Sequence, residues 1–518
     1  MRRARQLVAI YLLLMLVSLE AVAERKSLAK KVDELLEQPE VARAFWGVQV
    51  VSLDSGKTLY SKNADKLFIP ASNTKLFTTA ATLGLIGPDY RFKTTIETTG
   101  VVDKYGRLSG DLIIVGRGDP NLSGRTLPYN LRTERKMPPI QVLEQLADQI
   151  AARGVKVIDG DIVADDSFFA FERYGGGWAV EDTISEWGAP VSALTINDNL
   201  MFVSILPAAN PGEKAFVSIQ PFPEYYRVDN RVMTTPPGTG PRRIYINREP
   251  GSDRLTIYGN IPLDDLGASD ALSIEDPADF ASKLMYSLLS KRGITIYGRT
   301  RTKHTEVASL STLTVTSIAG GGASREMTPQ VPPPLLLATY ESQPIAQDLR
   351  VINKVSQNLH AELMLRLLGR EKGSSGTIDG GLEVVRSFLL QAGIRPEEYA
   401  LYDGSGLSRQ NLVSPQAIVK LLTYVSKQPW ADAYIDTLPV GGVDGSLAYR
   451  FKDDAAMGRV KAKTGTLGHV NSLAGFATTK KGERVAFAIM ANNHVLPNRR
   501  AEETIDQIVS MIVDDSRK

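Results

Sequence analysis

Phe68-Ile69-Pro70-Ala71-Ser72-Asn73-Thr74-Lys75 runs directly into Leu76-Phe77-Thr78-Thr79-Ala80-Ala81-Thr82-Leu83, and this junction decides how the rest of the chain is read. The hydrophobic-Pro-Ala segment is predicted to bend, and the residues from Ser72 through about Gly84 to form a helix. Ser72 and Lys75 are then three residues apart on one helix face. A helix N-terminus offers free backbone N–H groups and a positive dipole end, which suit a nucleophile whose transition state becomes an oxyanion. A serine hydroxyl also needs a base. Lys75 serves only when neutral, so its pKa must fall from about 10.4, in the direction that burial or a neighbouring cation pushes it.

Two further motifs follow in order: Ser356-Gln357-Asn358 and Lys463-Thr464-Gly465. Ser356 is suited to relay a proton and Asn358 to hold a substrate amide. Lys463 supplies a second cation for a substrate carboxylate, and Thr464 a hydroxyl. Gly465, without a side chain, leaves its strand edge open to an extended substrate. Ser27-Leu28-Ala29-Lys30 and Ser61-Lys62-Asn63 match the first two patterns by chance. Ser27 lies too near the N-terminus for a rigid pocket, and Ser61 at the end of a strand.

Around Ser72 the pattern predicts a helix over 29–45, a hairpin of Gly47–Leu53 and Thr58–Tyr60 turning at Asp54-Ser55-Gly56, and nothing repetitive. Val470–Thr478 and Arg484–Ala491 read as strands. The last helix carries Ile505, Ile508, Val509 and Ile512 on one side. Helical periodicity also covers Ile345 to Leu368. From about Tyr90 to Val315 short strands predominate, among them Gly110–Gly116 and Arg243–Asn247, broken by turns such as Gly118-Asp119-Pro120 and Gly175-Gly176-Gly177. Gly320–Gly322 and Pro332–Pro334 mark a breaker zone. The expected organisation is one α/β domain made from both ends of the chain, as residues 24–90 and 336–518. A mostly β insertion, 91–335, with two subdomains, interrupts it.

Composition narrows the chemistry. The 518 residues include no Cys and four His, so a thiol nucleophile and disulfides are excluded; no metal site and no cofactor are expected. A net charge of +2 carries no footprint for nucleic acid. Arg2, Arg3 and Arg5, the apolar run Leu7–Leu19 and Ala21-Val22-Ala23 read as a signal peptide over 1–23, cleaved near Ala23. Its removal takes away three Arg and Glu20 and leaves 57 charges of each sign. Thirteen apolar residues are too few for a bilayer span of about 20. An exported protein of the periplasm or cell envelope, without a stable membrane span, is expected; its oligomeric state is not legible.

The three motifs together resemble those of the β-lactamases and penicillin-binding proteins. Phe68–Lys75, Tyr402-Asp-Gly-Ser-Gly-Leu-Ser-Arg409 and Leu438-Pro-Val-Gly-Gly-Val-Asp-Gly-Ser446 are similar to the low-molecular-mass class C penicillin-binding proteins. That family comprises D-alanyl-D-alanine carboxypeptidases and endopeptidases of the bacterial cell wall. Val115–Pro120, Gly160–Phe169 and Gly188–Leu194 resemble it too, as does the separation of 281 positions between Lys75 and Ser356.

The resemblance implies an α/β (α+β) serine β-lactamase/transpeptidase-like fold, an antiparallel sheet flanked by helices and interrupted by the insertion. It implies that Ser72 is acylated by peptidoglycan stem peptides or β-lactam antibiotics, with Lys75 as base and Ser356 in the relay. Asn358, Lys463, Thr464 and Gly465 would bind substrate, and the N–H groups of Ser72 and Thr466 would form the oxyanion hole. A carboxylate and an aromatic from the insertion, matched by position to Asp165 and Phe169, and Arg409 would face the peptide side chain. The alternatives are a β-lactamase or esterase, and a non-catalytic cell-wall or β-lactam-sensing protein. A Glu-x-x-Leu-Asn deacylation motif is absent from the sequence.

Overall fold

The computed structural model describes residues 27–126, 137–308 and 333–515. The expected signal peptide, and Gly320–Gly322 and Pro332 of the breaker zone, lie outside the described residues.

Five strands form the sheet that carries the site: β1 (Phe45–Ser52), β2 (Thr58–Lys62), β3 (Val460–Leu467), β4 (Val470–Thr478) and β5 (Arg484–Asn492). Their order is β2-β1-β5-β4-β3, antiparallel throughout, so both ends of the chain build one sheet. Alternation along β5 shows why it is central. Val485, Phe487, Ile489 and Ala491 join one apolar cluster, and Ala486, Ala488 and Met490 join another on the opposite face.

The first cluster is closed by helices α1 (Leu28–Leu36) and α6 (Asn498–Val513), the latter burying Ile505, Ile508, Val509 and Ile512 as its spacing predicts. Against the other face lie α2 (Lys75–Leu85), α3 (Ile345–Lys354), α4 (Asn358–Lys372) and α5 (Pro415–Val425). Every residue of α2 from Lys75 to Leu83 is buried. It is a core helix, consistent with its lack of a polar stripe.

Three expectations change. The helix predicted over 29–45 ends at Leu36, because Pro39 lacks a backbone donor and disfavours helix in the residue before it. The single helix predicted over 345–368 is two helices, broken at Val355-Ser356-Gln357, where Ser356 takes φ 65°. Gly118-Asp119-Pro120 is only partly a turn: Gly118 has φ +84°, but Asp119–Leu122 is a strand pairing in parallel with Leu194–Ile196.

Between α2 and α3 the chain is mainly β, with helices at Gln141–Ala152 and Pro277–Lys291. One five-stranded sheet there ends on Leu335–Glu341, paired with Lys93–Thr98, so the inserted sheet runs six residues past the boundary expected at 335. A single apolar cluster runs from Ile96 and Leu108 through Val203 to Val232 and Leu255. The strands expected in two subdomains therefore share one continuous core.

Candidate active site

The Ser72 bend is clamped from two strands. Asn492 at the end of β5 accepts from the Ile69 N–H at 2.7 Å and donates to the Ile69 carbonyl at 3.2 Å. Ser472 donates to the Pro70 carbonyl at 2.9 Å. Ala71 is held at φ 49°, a conformation costly for a residue with a Cβ, as is common at functional sites. The first turn, Ala71–Thr74, is a 3-10 helix that passes into α2 at Lys75.

Gly406 and Gly465 make this closeness possible. A Cβ on Gly406, at φ +84°, would fall 1.9 Å from the Ala71 carbonyl oxygen. A Cβ on Gly465 would stand 2.3 Å from Ser472 Oγ, 2.7 Å from the Pro70 carbonyl and 3.1 Å from the Ser72 nitrogen. Gly465 thus lets β3 press against the serine turn, a reason distinct from the open substrate edge expected of it. β3 is nonetheless an edge strand of its sheet.

Lys75 Nζ donates to Ser72 Oγ at 3.0 Å, Asn358 Oδ1 at 2.6 Å and the Ser405 carbonyl at 2.6 Å. Burial pushes its pKa down to about 7, partly opposed by the carboxylates of Asp403 and Glu362. Lys463 Nζ donates to Ser356 Oγ and to the Thr464 carbonyl, both at 2.8 Å. Burial, and then the Lys75 cation, hold Lys463 well below its ordinary range. Thr464 and Ser446 hydroxyls are 2.8 Å apart. Asn358 also donates to the Trp187 carbonyl at 2.9 Å. Residues from α2, the α3–α4 break and β3 therefore converge, as their order in sequence implied.

Beside them opens a cavity of about 350 Å³. Ser72, Ser356, Asn358, Thr464 and Thr466 line it. Asp182, Trp187, Leu407 and Leu467 also line it. The insertion's carboxylate and aromatic at the cavity wall are Asp182 and Trp187, whereas Asp165 and Phe169, expected there by position, do not line it. Asp165 accepts from Ser167 and, at 2.8 Å, from Lys303, and it does not line the cavity. Phe169 is buried in the hydrophobic core against Gly118. Both lie on a regular strand, Ile162–Ala170, whereas Asp182 and Trp187 sit in two short 3-10 turns just before Gly188-Ala-Pro. Burial raises the Asp182 pKa, and nearby Arg409 offsets part of this. Arg409 itself is exposed and donates to the Gly468 carbonyl at 3.2 Å, at the rim rather than among the lining residues.

Sequence reasoning also missed two carboxylates under the floor. Glu362 accepts from the N–H groups of Gly404 and Ser405 at 2.9 and 2.8 Å, and from Arg366 at 3.1 Å. Asp403 accepts from the N–H groups of Gly406 and Ser408, from Asn411 and from Trp178. Together they shape the loop whose Ser405 carbonyl meets Lys75. Asp403-Gly-Ser-Gly was a visible signal, an acid ahead of a tight loop; Glu362 was another, a charge inside an apolar helical run.

The sequence matches the model of the D-Ala-D-Ala carboxypeptidase 3 (S13) family over residues 28–319 and 321–514. A D-alanyl-D-alanine carboxypeptidase of Actinomadura sp. (strain R39) is 34% identical over 514 residues, spanning 96% of this chain and 88% of the relative. D-alanyl-D-alanine carboxypeptidase DacB of Haemophilus influenzae is 26% identical over 448 residues, spanning 86% and 84% of the two chains. The crystal structure of penicillin binding protein 4 from Haemophilus influenzae aligns with a TM-score of 0.75 at 26% identity, covering 93% of this chain and 98% of that one.

Proposed function

This chain belongs to the D-Ala-D-Ala carboxypeptidase 3 (S13) family, and from that membership and the pocket geometry we propose how its residues divide the work. It is a serine-type D-Ala-D-Ala carboxypeptidase/endopeptidase of peptidoglycan, and it interacts with β-lactams. Its place is the cell envelope; export through cleavage near Ala23 is part of the proposal, as is a catalytic domain made of 24–90 and of the chain after the inserted strand that ends at Glu341. No described helix is long and apolar enough to cross a membrane.

Ser72 Oγ attacks the carbonyl of the penultimate D-Ala as neutral Lys75 takes the hydroxyl proton. The N–H groups of Ser72 and Thr466 receive the oxyanion. Lys463 and Thr464 hold the terminal carboxylate, whose charge favours the ammonium form of Lys463. A proton passed through Ser356 reaches the leaving nitrogen as the C–N bond breaks, and terminal D-Ala departs. Water then attacks the Ser72 ester with Lys75 again as base, releasing the shortened peptide. When the leaving amine belongs to a second stem peptide, the same steps cut a cross-link.

The observation that carries this reading is the buried Lys75 Nζ 3.0 Å from Ser72 Oγ. The test is a mass measurement after incubation with benzylpenicillin, alongside D-Ala release from a pentapeptide. Wild type gains one covalent adduct and releases D-Ala; Ser72→Ala, still folded, does neither. An adduct persisting on folded Ser72→Ala refutes the assignment.

A further inference from the structure

Behind the Ser356–Asn358 turn, three successive non-glycine residues, Asn197, Asp198 and Asn199, have φ of 51°, 57° and 54°. L-residues visit this left-handed region singly at most, Asn and Asp being the least averse. The turn is fully buried and held at each member. Asn197 donates to the Leu200 carbonyl at 2.9 Å; Asn199 donates to the Pro190 carbonyl at 2.8 Å and accepts from the Ile196 N–H at 3.1 Å. A conformation held this firmly against its own preference calls for a reason.

The Asp198 carboxylate supplies one. It takes a two-pronged contact from the Arg125 guanidinium, lies 3.1 Å from His360 Nε2 on α4, and accepts from Gln357 Nε2 at 3.1 Å. Gln357 uses its other amide atom to accept from the Leu359 N–H at 3.0 Å, capping α4. Its side chain is therefore a strut between Asp198 and the helix start. The residues on either side of Gln357 are Ser356, bonded to Lys463, and Asn358, bonded to Lys75.

We infer that Asp198 is a positioning residue, which acts through Gln357 to fix the Ser356–Asn358 turn against the two lysines. The inference rests on the reading that Ser72 is the acylated serine. Side-chain placement of this kind governs rate because small displacements of catalytic groups cost large factors.

The test is a double-mutant cycle of Gln357→Ala and Asp198→Asn, read as the rate of acylation by benzylpenicillin, as kcat and KM for D-Ala release, and as thermal midpoint. Gln357→Ala is expected to slow acylation and kcat about tenfold or more, with KM changed less than about threefold. Asp198→Asn is expected to slow acylation as well, yet to add nothing to the rate loss in the Gln357→Ala background, although its loss of thermal midpoint persists there. Gln357→Glu keeps the helix cap but sets two carboxylates together, and is expected to lose rate like Gln357→Ala; it stands in if Asp198→Asn does not fold. Normal acylation in Gln357→Ala or Gln357→Glu, or multiplicative rate losses in the cycle, overturns the inference. Failure of the wild type to acylate would instead refute the Ser72 reading.

Discussion

Lys463 Nζ meets Ser356 Oγ at 2.8 Å, and the same lysine is held well below its ordinary pKa by burial and by the Lys75 cation. Lys75 is itself lowered by burial, so of the two it is Lys463 that the other's charge pushes down further. In the mechanism proposed above, an arriving carboxylate favours the ammonium form of Lys463 and leaves Lys75 as the base.

The first expected outcome concerns pH. Burial lowers Lys75 to about 7, so the neutral base accumulates as pH rises through that value. Acylation by a chromogenic β-lactam should climb through about pH 7 and level off above it; a rate independent of pH between 5 and 9 would contradict Lys75 as base. Lys75→Met should cost about 10²–10⁴ in rate. Stability moves the same way: the depressed lysine opposes folding most at low pH, and the penalty is relieved as pH rises from the folded value toward the unfolded one of about 10.4. Thermal midpoints of wild type and Lys75→Met should therefore converge on going from pH 7 to pH 10.

Gly465→Ala should separate β3 from the serine turn, because the new methyl meets the Pro70 carbonyl and Ser472. Overpacking of this kind costs about 1–3 kcal/mol. A fall in denaturation midpoint together with acylation slowed about tenfold or more is expected; normal acylation would show that β3 and Ser72 need not approach so closely.

Substrate preference should respond to Asp182 and Trp187 and ignore Asp165. Asp182→Asn and Trp187→Ala are expected to raise KM for muropeptides severalfold while penicillin labelling continues. Asp165→Ala removes contacts to Ser167 and Lys303, outside the cavity, and should leave KM unchanged. Steady-state assays on uncross-linked and cross-linked muropeptides decide the matter.

Glu362→Ala should weaken the protein as a whole. It leaves buried Arg366 without its carboxylate and two loop N–H groups without their acceptor. Removing one member of a buried pair costs about 3–5 kcal/mol, to be read as a lowered midpoint in urea. If the folded variant also acylates slowly, the loop under Lys75 has moved; an unchanged midpoint would argue against the contact.

Motif order and apolar periodicity made the catalytic groups legible from sequence. Ser72, Lys75, Ser356, Asn358, Lys463 and Thr464 meet because each lies at a helix start, a helix break or an edge strand, and such positions leave local traces. The break at Ser356 was hidden, since buried residues on both sides continue one helical rhythm through it. Asp165 and Phe169 were mistaken for pocket residues because an acid and an aromatic at short spacing look alike on a strand and in a loop. Only tertiary placement separates them from Asp182 and Trp187. Asp198 left no trace either, as its turn depends on partners far along the chain.

The strand order β2-β1-β5-β4-β3 has a bearing on how the enzyme is born. A nascent chain presents the β1–β2 hairpin and the Ser72–Lys75 pair early, but the partner of β1 is β5, made more than 400 residues later. Until then the hairpin has an open flank, the kind of edge that invites aggregation. Ser72 meanwhile has its base but lacks Ser356, Asn358, Lys463 and Thr464. Competence for acylation thus waits for β3, and a chain arrested before it carries a nucleophile that a penicillin would leave unmarked.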